Sequence, residues 1–357
     1  MKTYVKFLIN IFFNSLWKTF FVFFGIVLIT NIIEQLQFFK KIDVNFSVPL
    51  ILSALNTPAI IFEILPFIFL ISTQFFFIKL IDNRELEIFK YSGLTNLKIV
   101  NIIGLVSFLL GIFIIIFYYN FSSILKSKYL EIKNNYSNDD KYLAVITNNG
   151  LWIKDEINDK INIINAKEVS GHFLNEVLIN QFNKEFELIK TIESKKINII
   201  SRNWIILKPK VLEGGLSQEF LEINFKSNFD LEKINSLFSN LSSLTIYGLI
   251  DLRKSYKSLN YSLIDIDSHL LKIISYPVYL TLITILTAII MFNIGHQKNF
   301  LLKVILGIFL SVIIYYISNF FNVLGTTEKI PLLLSIWFPL IILIIINLAF
   351  ILRLNEK

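Results

Sequence analysis

Six stretches of the chain, residues 5–33, 49–80, 97–121, 268–294, 300–324 and 330–352, each contain roughly 20 residues of apolar sequence, enough to cross a bilayer as a helix. The count of spanning helices is therefore six. The first run follows Lys2 and Lys6 in the manner of a signal peptide. It is nevertheless long, is interrupted by Lys18 and lacks a small-residue cleavage site, so it reads as a retained span. Pro58 and Pro66 lie inside the second run, where packing against neighbouring helices can accommodate them.

Between the third and fourth runs the character changes. The segment LAVITNNGLWIKDEINDKINIINAKEV alternates apolar and polar residues and is broken at Asn149-Gly150 and Asn158-Asp159, the pattern of half-buried antiparallel strands joined by tight turns. The alternation continues through Trp204 to Pro209 and Gly214-Gly215, and reads as a small sandwich or jelly roll. From Asp230 the period becomes helical, with Leu249, Leu252 and Tyr256 on one face. The fold class is therefore an α+β membrane protein with six transmembrane helices and a β-rich domain inserted between helices 3 and 4. Its divisions are 1–124, 125–266 and 267–357.

Short loops keep their cations on one side: Lys2, Lys6, Lys79, Arg84, Lys90, Lys98, Lys298, Lys303, Arg353 and Lys357, against Lys40, Lys41 and Lys329. By the positive-inside rule the first set is cytoplasmic, so both termini face the cytoplasm and residues 125–266 lie outside it.

Composition excludes much chemistry. The chain has no cysteine, hence no disulfide, thiolate nucleophile or cysteine metal site. Its three histidines, His172, His269 and His296, are far apart, and neither a GxxxxGK[ST] phosphate loop nor a GxSxG elbow occurs. Asp139-Asp140 lies in a turn. A net charge of +7 spread over short loops is no nucleic-acid signature. Catalysis by this chain has little support, and no cofactor is implied. Charges near the spans are more informative, because they are costly there. Glu63 lies inside the second span and Glu34 at the end of the first. Lys40, Lys41, Lys126 and Lys128 cluster at the outer ends of spans one and three, where lysines either snorkel to headgroups or receive an anionic amphiphile.

Residues 81–98, IDNRELEIFKYSGLTNLK, form the one patterned polar segment between spans. Leu86, Ile88 and Phe89 sit at helical spacing and Ser92-Gly93 supplies a stop, which outlines a short amphipathic helix at about 82–95.

With these elements in order, the whole chain resembles the LptF/LptG family of lipopolysaccharide-export permeases. RELEIFKYSGLT is similar to that family's coupling-helix motif, with Glu85 on the acidic position and Gly93 and Thr95 on the glycine and hydroxyl positions. SHLLKIISYP resembles its approach to the fourth span through His269, Lys272 and Pro277, with one extra residue between His and Lys. NGLWIKD and IIEQL resemble the LptG branch, although Asn31 stands where that branch often carries a basic residue.

The resemblance implies a permease subunit of an ABC-type exporter in the bacterial inner membrane. Such a subunit extracts lipopolysaccharide and passes it to a periplasmic jelly-roll bridge. It further implies a heterodimer with a paralogous permease and a separate cytoplasmic ATPase dimer that performs the hydrolysis. Arg84, Glu85, Leu86, Phe89, Gly93 and Thr95 would couple to that ATPase; Lys40, Lys41, Lys126 and Lys128 would face the lipid. A permease for another lipid or lipoprotein fits the same residues. So does a non-transporting scaffold with a periplasmic binding domain.

Overall fold

A computed structural model describes residues 3–41, 44–136, 151–157, 160–170, 172–231, 234, 240–258, 263–293 and 300–354. The turns expected at Asn149-Gly150 and Asn158-Asp159, the Asp139-Asp140 pair, and His296, Lys298 and Lys357 lie outside them. The chain divides into a helical unit, Met1–Lys126 with Ile264–Lys357, and a second unit, Ser127–Leu263.

The helices are α1 (Thr3–Phe38), α2 (Ser47–Asp82), α3 (Glu85–Tyr91), α4 (Asn96–Phe113), a π turn (Ile114–Tyr119), α5 (Asn120–Tyr136), α6 (Ile246–Ser258), α7 (Ile264–Asn293), α8 (Phe300–Thr326) and α9 (Leu332–Leu354). Six helical stretches are long and apolar enough to cross a membrane: Thr3–Phe38, Ser47–Asp82, Asn96–Lys133, Ile264–Phe292, Gly307–Thr326 and Leu332–Leu352. The six-span reading therefore holds. α1 and α2 have 36 residues each. At about 1.5 Å per residue they are far longer than a hydrocarbon core of about 30 Å, so they tilt or project beyond it.

α2 is the central helix. Its apolar window is 72% buried, against 17% for α1 and 11% for the fifth span, whose faces are left for lipid or another chain. Since lipid is as apolar as leucine, such helices associate by close packing and by cross-helix hydrogen bonds. Both occur here. Ser53, Thr57, Ser72 and Thr73 return their hydroxyls to carbonyls four residues earlier, so α2 buries polar side chains at little cost. Asn31, buried on α1, donates to the Ser53 carbonyl at 3.3 Å and accepts from Asn56 at 3.4 Å, which joins α1 to α2. Asn31 is thus an interhelical tie. Asn347 of α9 similarly donates to the Leu282 carbonyl of α7 at 3.0 Å.

The second unit carries the antiparallel sheet expected between spans three and four. Its strands are β1 (Leu151–Ile157), β2 (Lys160–Ser170), β3 (Phe173–Phe182), β4 (Leu188–Asn198), β5 (Asn203–Leu207), β6 (Lys210–Glu213), β7 (Leu216–Glu219) and β8 (Glu222–Lys226). The order is β1-β2-β3-β4-β5-β8, with β6 between β4 and β7. β4 therefore forks: residues 196–198 pair with β5 and residues 190–193 with β6. Ser194 sits at the fork and donates to the Leu207 carbonyl at 2.6 Å. Inward residues from alternate positions, among them Ile153, Ile164, Val177, Ile179, Ile192 and Trp204, make one apolar core. Trp204 donates its indole N–H to the Phe229 carbonyl at 2.8 Å.

One inward position is a carboxylate. Asp155 on β1 is fully buried. It accepts from the Ser227 hydroxyl at 2.8 Å and, from Asn228, the backbone N–H at 3.1 Å and the side-chain amide at 2.8 Å. Ser227 and Asn228 follow β8, so this carboxylate ties together the two ends of the strand order.

Candidate functional site

Two places in the helical unit concentrate the residues that sequence singled out. The first is the α2–α3–α4 connector. α2 ends at Asp82, and Arg84 reverses the chain with a left-handed φ of 57°, a conformation costly for a residue with a Cβ. α3 follows at once. Its C-terminus closes as a Schellman motif: Leu94 N–H donates to the Phe89 carbonyl at 2.9 Å and Gly93 N–H to the Lys90 carbonyl at 3.0 Å. Gly93 supplies the required positive φ of 76°. The Thr95 hydroxyl then caps α4 by accepting from Lys98 N–H at 3.3 Å.

Leu86 and Leu94 are buried in the main core with Leu8, Phe12, Phe76 and Leu80, and Phe89 packs against it, edge-on to Phe7. A helix of 7 residues, too short to persist alone, is held by these anchors. Ile88 departs from its apolar companions. It is 59% exposed, and Tyr91 is 91% exposed, so the two form an outward patch beside Glu87. Glu85 turns the other way: its Oε1 accepts from the Asn83 amide at 3.1 Å, while its Oε2 is covered and accepts no hydrogen bond. Among the motif residues, Arg84 and Thr95 lie exposed, and Leu86, Phe89 and Gly93 shape the segment rather than present it.

The second place is a node where α2, the π turn and α7 meet. Pro66 has no N–H, so the Phe62 carbonyl loses its regular intrahelical donor. Tyr276 of α7 donates its hydroxyl to that carbonyl at 2.6 Å and stacks on the Phe62 ring at 4.7 Å. Tyr119 meets the Phe62 ring edge-on at 5.1 Å, and its hydroxyl is hydrogen-bonded to His269 Nε2 at 3.0 Å. Tyr118 donates to the Pro58 carbonyl at 3.1 Å. Gly111 makes the approach possible, because α4 comes so near α7 that a Cβ there would lie 2.7 Å from Pro277 Cα.

Three charged residues are carried by the same helices: Glu63 follows Phe62 on α2, Lys272 lies one turn before Tyr276 on α7, and Lys126 lies two turns beyond Tyr119. Lys126 is half-buried, whereas Glu63 and Lys272 reach the surface of the chain. Of the four expected lipid-facing lysines, Lys126 is among these residues. Lys40 is exposed in the turn Phe39–Lys41 that follows α1, and Lys128 is exposed in the second unit. The side chain of Lys41 lies outside the described residues. Sequence reading missed Phe62, Tyr119 and Tyr276. The available signal was Pro66, four residues after Phe62, which leaves a carbonyl in need of an outside donor. Tyr276→Phe is expected to leave that carbonyl unpaired and to lower stability by about 1–2 kcal/mol. Thermal unfolding in detergent would measure it, and an unchanged midpoint would show that the bond contributes nothing.

The family model described as lipopolysaccharide export system permease LptF/LptG matches residues 6–353, nearly the whole chain. The chain belongs to the LptF/LptG family. That match covers both branches and does not separate LptF from LptG. No curated protein sequence matches the chain significantly. As a member of the LptF/LptG family the chain is a multi-pass membrane protein and a permease component rather than an enzyme. Both the connector and the node lie within the matched residues.

Proposed function

We propose that this chain is one permease subunit of an ABC-type exporter that extracts lipopolysaccharide from the bacterial inner membrane and passes it to a periplasmic jelly-roll bridge. A paralogous permease completes the membrane channel, through faces such as those α1 and α8 leave uncovered. Two copies of a cytoplasmic ATPase drive the cycle. The Lys and Arg asymmetry of the short loops supports cytoplasmic termini and a periplasmic sheet domain, residues 125–266, jelly-roll-like in its role.

The observation that carries this reading is the α2–α3–α4 connector. ATP-driven closure can act on the spans only through a contact whose energy differs between the two states. α3 is suited to that. Both of its ends are closed by backbone geometry, Leu86 and Phe89 anchor it to the bundle, and Ile88 and Tyr91 remain free to dock in the ATPase. Glu85 holds the turn, so the docking energy falls on the outward pair.

Ile88→Asp with Tyr91→Ala should therefore insert, fold and pair with the second permease, yet lose ATPase copurification. Removal of a central apolar anchor costs about 2 kcal/mol or more, roughly a 30-fold loss of affinity. Lipid released per ATP hydrolysed in proteoliposomes should fall at least as far. Wild-type coupling in this variant would show that α3 does not make the contact.

A further inference from the structure

We propose that the outward face of α6 is a membrane-surface contact: Tyr247, Ile250, Lys254 and Lys257 lie against anionic lipid headgroups beside the start of the fourth span. Such a contact needs only a multi-pass membrane protein, and stands whether or not the chain exports lipopolysaccharide.

α6 has a defined start, because the Thr245 hydroxyl accepts from Gly248 N–H at 3.2 Å and the Thr245 carbonyl accepts from Leu249 N–H at 2.9 Å. Leu249 and Leu252 turn inward and are buried. At about 100° per residue, Tyr247, Ile250, Asp251, Lys254 and Lys257 fall within an arc of about 120° on the other side. All five are exposed, Tyr247 to 79%. A helix with one buried apolar stripe ordinarily keeps its opposite face polar. Here tyrosine and isoleucine open the outward face and two lysines close it. Lys254 is paired with Asp251 at 3.2 Å, so two lysines against one aspartate leave one positive charge in excess.

Position along the chain says what this face meets. α6 ends at Ser258 and the fourth span opens at Ile264. Consecutive Cα atoms are at most about 3.8 Å apart, which holds the end of α6 within about 23 Å of that span. The span has 29 residues, and at about 1.5 Å per residue it outreaches a hydrocarbon core of about 30 Å. Its polar first turn, with Asp265 and Asp267, therefore belongs to the headgroup layer. Tyrosine suits that depth, its ring among acyl ends and its hydroxyl in water. Lysine stems lie along apolar surface while their ammonium groups reach phosphates. An amphipathic helix binds there through buried apolar area and the attraction of its cations to anionic headgroups. A protein partner fits less well, since five side chains are few against the roughly 20–30 residues that each side of a stable interface contributes. A lipid contact can be this small because the span already keeps the helix at the bilayer. With Leu249 and Leu252 buried on the other side, the bound helix would fix its own unit to the lipid surface.

The chain has no cysteine, so one introduced cysteine carries a fluorophore to one place. Tyr247→Cys and Ile250→Cys, each labelled with bimane, would be compared with Glu219→Cys on the exposed strand β7. Two positions on α6 guard against a single variant that misfolds. The full-length chain, with the subunits that copurify, is placed in nanodiscs of phosphatidylcholine alone or mixed with phosphatidylglycerol. Iodide reads contact with water, and a nitroxide on the lipid headgroup reads contact with the membrane surface. Both α6 labels should be quenched about threefold more strongly by the nitroxide, and about threefold less by iodide, than the Glu219→Cys label. Nitroxide quenching should rise further with phosphatidylglycerol, and Lys254→Glu with Lys257→Glu, or high salt, should abolish that rise. Labels on α6 that behave like the Glu219→Cys label would show a solvated helix and overturn the contact. Shielding from both quenchers would show that protein covers the face, which overturns the lipid assignment. Headgroup quenching that is indifferent to phosphatidylglycerol and to charge reversal would overturn the recognition of anionic lipid.

Discussion

Asp155→Ala is expected to lower the stability of the sheet unit by about 2–4 kcal/mol, since a hydrogen bond to a charged group contributes about 1.5–3 kcal/mol and one of its donors, Ser227, is buried. The carboxylate accepts three hydrogen bonds from Ser227 and Asn228. Without it the buried Ser227 hydroxyl loses its acceptor, at a cost on the order of 1–3 kcal/mol, whereas the two donors of the exposed Asn228 can turn to water. Domains of this size have net stabilities of about 5–15 kcal/mol, so the loss would leave the sheet partly open at physiological temperature. The first strand should detach from the segment after the last, because Asp155 is the tie between them. Limited proteolysis of the membrane-inserted protein reads this directly. Cleavage should appear in β1 and near Asn228, whereas the spanning helices stay intact. Asp155→Asn, which keeps one acceptor oxygen, should fall between. A protease-resistant Asp155→Ala variant would show that the sheet closes by its apolar core alone.

Gly111→Leu should have a comparable effect on the helical unit. A Cβ at this position would lie 2.7 Å from Pro277 Cα and 3.0 Å from Pro277 Cβ. Neither atom belongs to a flexible side chain that can swing aside, so α4 and α7 must separate. Overpacking typically costs about 1–3 kcal/mol for extra methylenes that the surroundings can partly absorb. Here the backbone of a proline blocks even the first of them. Separation would also pull on the Tyr119–His269 bond a few turns away. The expected result is little or no protein in the monodisperse detergent peak, with Gly111→Ala recovered but less stable than wild type. Recovery of Gly111→Leu at wild-type yield and melting temperature would refute the close contact.

Much of this architecture was legible because lipid removes alternatives. Once a run of about 20 residues is apolar, helix is the available answer, and the six spans followed from that. The length of the first was underestimated. Apolar sequence in α1 ends near Ile33, yet the helix continues through Glu34 and Gln35 to Phe38, since backbone bonding does not stop where hydrophobicity does. The connector was legible at its C-terminus through Gly93. Which face of α3 would be buried was not, because on 7 residues an apolar Ile88 reads as inward-facing although it is the apolar Leu86 and Phe89 that pack into the core. The node was hidden for another reason: its hydrogen bonds join residues 150 and 214 positions apart, and no local pattern reports such pairings. Asp155 was within reach. In LWIKDEI it shares the inward parity of Leu151 and Ile153, so strand alternation alone places a carboxylate in the core.

The π turn at Ile114–Tyr119 closes its hydrogen-bonded rings over one residue more than an α turn does. It therefore works as a phase shifter in the third span: everything beyond Tyr119 is rotated by about 100° relative to an uninterrupted α-helix. The azimuth of Lys126 about the helix axis is thus set by a count of residues rather than by any contact of its own. A change that restored a regular α turn without removing a residue would preserve the span, its residue count and its apolar character, and would still swing Lys126 about 100° from its present direction.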